Sequence, residues 1–65
     1  MRKYINILIN NGDFNTLEEF EEATATSKND LLDFLTWRAN GGTFKNETTA
    51  PGYKEACTEL VNKLS

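Results

Sequence analysis

The stretch TLEEFEEATATSKNDLLDFLTW, Thr16–Trp37, decides the fold. Thr16 followed by Glu19 is a capping box, in which each side chain satisfies the other residue's exposed backbone N–H. Glu18 and Glu19 in the first turn also suit the positive end of the helix dipole. Leu17, Phe20 and Thr24, with Ala23 beside them, form an inward stripe, and this helix is expected to stop near Ala25. Ser27 repeats the device, with Asp30 three residues later. Beyond it Leu31, Leu32, Leu35 and Ala39 gather on one side at ~100° per residue, and Gly41-Gly42 ends the element.

Working outward from this pair, Tyr4–Ile9 is apolar apart from Asn6 and runs into Asn10-Asn11-Gly12. A strand would put Ile5, Ile7 and Ile9 on one face. A helix would align Ile5, Leu8 and Ile9 with Tyr4 and stop at Gly12. The β-branched content favours a strand, but a lone strand has no partner here, so the helix is the expectation. On the other side, Thr43–Gly52 is a polar loop with Pro51 near its end. Tyr53, Ala56, Cys57, Leu60, Val61 and Leu64 then fall at i, i+3, i+4, i+7, i+8 and i+11, a full amphipathic stripe. The expected architecture is all-α: a small bundle of three to four short helices over residues 1–65, read as one acidic domain.

A chain of 65 residues buries only ~60% of the surface its unfolded form exposes, so its stability needs help. Cys57 is the lone cysteine and there is no histidine, which rules out an internal disulfide and argues against a zinc site. Self-association or a larger partner remains, and the expectation is a homodimer. Its interface is placed on Leu60, Val61 and Leu64 of the last helix.

The net charge is −3 and the pI about 4.7, with the acids concentrated in the middle. Residues 13–33 hold Asp13, Glu18, Glu19, Glu21, Glu22, Asp30 and Asp33 against Lys28 alone. Nucleic-acid binding needs Lys and Arg to displace counterions, and anionic membranes repel such a surface. Neither is expected as a partner. No stretch is apolar enough to span a bilayer, and Tyr4–Ile9 is too short for a signal peptide's apolar region. The expected location is the cytoplasm, which makes the glycosylation pattern Asn46-Glu47-Thr48 incidental.

The central pair resembles a helix-turn-helix unit, with a first helix Leu17–Thr24, a turn Ala25-Thr26 and a reading helix Ser27–Asn40. Phe20, Ala23, Leu31 and Leu35 stand where such a unit places its core. The resemblance implies a DNA-binding regulator. It departs in having Ala25 where a glycine usually turns the chain and Thr26 where an apolar residue usually follows. The exposed side of the reading helix carries Asn29, Asp30 and Asp33, and DNA repels such acids. Two short helices packed at an angle are also a common feature of small helical proteins.

Trp37 lies nearly opposite Leu35 at ~100° per residue, beside Asp30 and Asp33, with Phe34 on the rim. Two placements stay open. Trp37 can pack under the N-terminal segment or the C-terminal helix, as aromatics of small proteins do. Or it faces outward, where a Trp among carboxylates is a binding centre whose acids steer a basic partner. The acidic face of Glu18, Glu19, Glu21 and Glu22 lacks the interspersed bases that support exposed helices, so a basic partner would relieve its self-repulsion. As a metal site it is weak, because consecutive carboxylates on a helix diverge.

Catalysis has no candidate residues. The commonest general base is absent, Ser27 and Ser65 have no activator, and Cys57 sits in an apolar stripe where a thiol is a packing group. The sequence therefore reads as a non-enzymatic, cofactor-free protein-binding module. It is expected to act as a stoichiometric inhibitor or adaptor, of the kind phages and mobile elements direct at host proteins, binding a basic surface through Trp37, Asp30, Asp33, Phe34, Glu18 and Glu22. The alternatives are a helix-turn-helix transcription regulator and a minor component of a larger assembly.

Overall fold

In the computed structural model, which describes residues 2–45 and 47–65, the chain forms helices α1 (Arg2–Asn11), α2 (Leu17–Thr26), α3 (Lys28–Ala39) and α4 (Tyr53–Leu64), with no strand among the described residues. Asn46, the acceptor position of the glycosylation pattern, lies outside them. The central layer is α4, which packs against both α1 and α3, while α2 closes the side against those same two helices. No described helix is long and apolar enough to cross a membrane.

Helix α1 resolves the ambiguity of Tyr4–Ile9. Ile5 and Leu8 are buried, and Tyr4, Ile7 and Ile9 pack half-buried around them. α4 is available as a helical partner, whereas a strand would have left its backbone groups unpaired. The helix ends at Gly12, with φ +93°. There the Asp13 N–H donates to the Leu8 carbonyl and the Gly12 N–H to the Ile9 carbonyl, the paired bonds of a Schellman stop. Gly41 stops α3 in the same way, through Gly42 N–H to Trp37 O and Gly41 N–H to Arg38 O. Its φ of +96° is one that a side chain would oppose.

The two helix starts differ from expectation in instructive ways. Thr16 caps α2 in an extended conformation and accepts from the Glu19 N–H at 3.2 Å. The Glu19 carboxylate passes beyond the Thr16 N–H to take that of Asn15, at 3.2 Å. Ser27 makes no side-chain cap to α3, so the expected Ser27–Asp30 box does not form. Ser27 closes α2 through its N–H to Ala23 O and opens α3 through its carbonyl to Leu31 N–H. Its ψ of 40° departs from the extended geometry that aims a capping oxygen at the first turn. Consequently Ala25 and Thr26 are helical and a single residue joins α2 to α3. The tight turn of about 3–4 residues that defines a helix-turn-helix is not there.

Ile5, Leu8, Phe20, Leu31, Leu35, Tyr53, Ala56, Cys57, Leu60 and Leu64 form one cluster at the centre. Two of the three residues expected at a dimer face lie in this cluster. Leu60 is fully buried and Leu64 nearly so within the single chain, and only Val61 is half-buried. Leu60 and Leu64 are core residues because the α4 stripe meets α1 and α3 of its own chain. The accessible surface, 4265 Å², is close to the ~4,200 Å² that a folded chain of this mass exposes.

Candidate functional site

The end of the bundle where α3 finishes and α4 begins is built around one residue. Arg38 lies on the core side of α3, one turn beyond Leu35, and is 1% exposed. A buried guanidinium needs carboxylates and a full set of acceptors, and two loops supply them. Its Nη2 donates to Glu47 Oε2 at 2.6 Å and to Asp13 Oδ1 at 3.2 Å. Nη1 donates to Glu47 Oε1 and, at 3.3 Å, to the Gly42 carbonyl. Nε alone has no protein acceptor. The Schellman stop of α1 positions Asp13, whose second oxygen accepts from the Tyr53 hydroxyl.

Glu47 is held from three sides. Besides Arg38, the Phe44 N–H donates to it at 3.1 Å and Asn11 Nδ2 approaches at 3.5 Å. Asn11 also fastens the far end of the loop by accepting from the Ala50 N–H at 2.9 Å. Hydrogen bonding to Arg38 lowers the Glu47 pKa from 4.5 to about 2, and raises that of Arg38 in return. Tyr53 is pushed well above its ordinary value, first by burial and then by its bond to Asp13. Burial also raises the Cys57 thiol, and that side chain is fully enclosed in the core.

Aromatic rings wall in the guanidinium. The Arg38 carbon lies 4.7 Å from the Phe44 ring centre, 5.0 Å from Tyr53 and 5.4 Å from both Phe34 and Trp37, all within cation–π range. Tyr53 faces inward. Trp37 and Phe44 close the outside, edge to face with ring centres 5.2 Å apart, and Phe34 adjoins Trp37 at 6.3 Å. Trp37 is 42% and Phe44 56% exposed, and among the described residues they are the large hydrophobic side chains left in solvent.

Trp37 nonetheless packs on backbone. Its indole lies so close over the Gly42 backbone that a Cβ at Gly42 would overlap the ring. Gly42 is thus more than part of a helix stop: the missing side chain is the seat of the indole. Of the residues expected at the binding surface, Trp37 and Phe34 meet here. Asp30 and Asp33 are exposed on α3, on the same side as Trp37 by helical spacing. Among the described residues no ion pair engages either aspartate. Glu18 and Glu22 are exposed on α2. Glu22 lines an open depression of about 390 Å³ with Asp13, Phe14, Glu19, Ala23 and Thr26, which adjoins the Arg38 cluster through Asp13.

No protein-family model, curated protein or solved structure matches the chain. The site's meaning rests on its own chemistry. Among the described residues no cluster of His, Cys, Asp or Glu is arranged to hold a metal ion. The carboxylates of Asp13 and Glu47 are engaged by Arg38 and Tyr53.

Sequence reasoning missed Arg38, Glu47, Asp13, Gly42 and Phe44 as parts of one site. A signal for Arg38 existed: it stands at i+3 from Leu35 and i+7 from Leu31, on the apolar stripe of its helix. A charged residue at such a position implies buried partners.

Proposed function

We propose that this protein is a protein-binding module that acts stoichiometrically, as an inhibitor or adaptor, by covering a basic surface of another protein with the aromatic end of its bundle. One observation carries the reading: Trp37 and Phe44 are exposed side by side, and the Trp37 indole packs directly on the Gly42 backbone. Exposed aromatic surface costs free energy in the unbound state, and Trp is enriched at the energetic centres of interfaces. A ring already packed against backbone has less conformational freedom to lose on binding than a fully solvated one. Asp30 and Asp33 beside it suit a partner with Lys or Arg. Glu18 and Glu22 would contribute to the long-range field rather than to contact. A homodimer, if formed, would use a face other than Leu60 and Leu64.

A photoreactive phenylalanine analogue at position 44, with a control at position 63, tests this reading in extract of the cells that make the protein. The expected result is a discrete adduct from position 44 that excess wild-type protein competes away and Trp37→Ala does not. Equal labelling from both positions would overturn it. Retardation of random duplex DNA at low salt would instead favour a DNA-binding role.

A further inference from the structure

On the reading that the aromatic end binds a protein, we propose that its ligand is a basic amphipathic helix, which sets one apolar side chain on Trp37 and Phe44 and carries Lys or Arg four and seven residues away, opposite Asp33 and Asp30. The spacing on α3 supplies the register. Asp33 and Asp30 precede Trp37 by four and seven residues, which places them ~6 Å and ~10.5 Å along the helix axis on nearly one line. A helix laid alongside has the same rise, so its own fourth and seventh positions from the anchor come opposite the two carboxylates. An extended segment does not match. Its side chains on one face recur every ~6.6 Å, so the second base would overshoot Asp30 by ~3 Å.

Charge selects the occupant. A second copy would bring Asp30 and Asp33 against an equally acidic chain, and nucleic acid or an anionic membrane would be repelled in the same way. The rings themselves favour an apolar anchor over a cation. Their inner side is already occupied by the Arg38 guanidinium at 4.7–5.4 Å, which leaves their outer, apolar side to the partner. The partner's bases are thereby directed to the free carboxylates and its apolar side chain to Trp37 and Phe44.

The probe is a displayed library of helix-forming 18-residue peptides randomised along one face, selected on the immobilised wild-type protein and screened against Trp37→Ala. The expected binders depend on Trp37 and share an apolar anchor with Lys or Arg four and seven residues before or after it. Reversing both bases to Glu should weaken them by about tenfold or more at low salt. Asp30→Lys with Asp33→Lys should restore the reversed peptides and reject the originals. Trp37-dependent binders without that basic spacing would overturn the helix proposal and leave the protein-binding reading standing. Binders that all ignore Trp37 would overturn the reading itself.

Discussion

Glu47 meets the Arg38 guanidinium through both carboxylate oxygens, across a loop that returns from the end of α3 to its own last turn. Asp13 completes the pairing from the far end of α1, so one side chain ties together α1, α3, the long loop and, through Tyr53, α4. Removing one member of a buried pair leaves the other uncompensated and costs ~3–5 kcal/mol. Stability of small domains lies near the lower end of ~5–15 kcal/mol. Arg38→Ala is therefore expected to leave the chain largely unfolded in urea titrations. Arg38→Met combined with Asp13→Asn and Glu47→Gln should be more stable than Arg38→Ala alone, because it removes the charges together.

Acid should loosen this end of the molecule first. The Glu47 pKa falls from 4.5 to about 2 on folding, chiefly through its hydrogen bonds to Arg38. A carboxylate with a depressed folded-state pKa stabilises fully above its unfolded value and loses that contribution as the pH drops through the folded value. Stability measured by urea melts should decline between about pH 4.5 and pH 2. In Glu47→Gln that part of the decline should vanish, with lower stability at neutral pH. An unchanged slope in the variant would show that other carboxylates govern the acid transition.

Gly42→Ala isolates the seat of the indole. The added methyl would occupy space now held by the Trp37 ring, so the ring must swing away from Phe44 and Arg38. The expected result is a red-shifted tryptophan emission with greater quenching by iodide. Melting should fall by roughly 1–3 kcal/mol, the usual range for forcing extra volume into a packed contact. Unchanged emission would mean the α3 stop relaxes instead of the ring.

The regular parts of this fold were legible because periodicity reports directly on burial. The stripe Tyr53–Leu64 became α4 with the same bounds, whereas the angular offset from Leu35 left Trp37 open between core and surface, and the structure leaves it 42% exposed. Tyr4–Ile9 was ambiguous because its pattern suits both periods, and only the presence of α4 as a packing partner decides it. The site itself was mostly hidden. Glu47 and Phe44 lie in a polar loop whose path depends on a buried ion pair, and no local rule fixes where such a loop turns. Arg38 was obscured by the ordinary rule that charges face water. Gly41-Gly42 read as a stop, which it is, but a seat for an indole requires knowing where the ring lies.

Leu60→Asp separates core from interface. Leu60 is completely buried in the single chain, in the same core cluster as Leu35 and Leu8. An unpaired carboxylate there costs far more than a small domain can absorb. The expected outcome is an unfolded chain by circular dichroism at every protein concentration. A folded monomer would instead mean that Leu60 served contacts between chains. Val61, half-buried at the edge of the stripe, should tolerate Val61→Thr with only a small loss of stability.

Trp37→Ala tests the proposed surface at its centre. The ring is 42% exposed, and its buried half rests on Gly42 and shields Arg38 from one side only. Full removal of a core aromatic costs ~3–5 kcal/mol, and this half-covered ring should cost less. The variant is expected to melt cooperatively, with circular dichroism like that of wild type. Desolvated tryptophan contacts at interface centres are worth ~2 kcal/mol or more, so partner affinity should drop by roughly 30-fold or more, read as faster dissociation. Asp30→Lys with Asp33→Lys should act differently: slower association and a weaker dependence on salt, as rim charges do. If Trp37→Ala unfolds the protein while the double charge reversal leaves binding untouched, the aromatic end is a lid over Arg38 and the binding surface lies elsewhere.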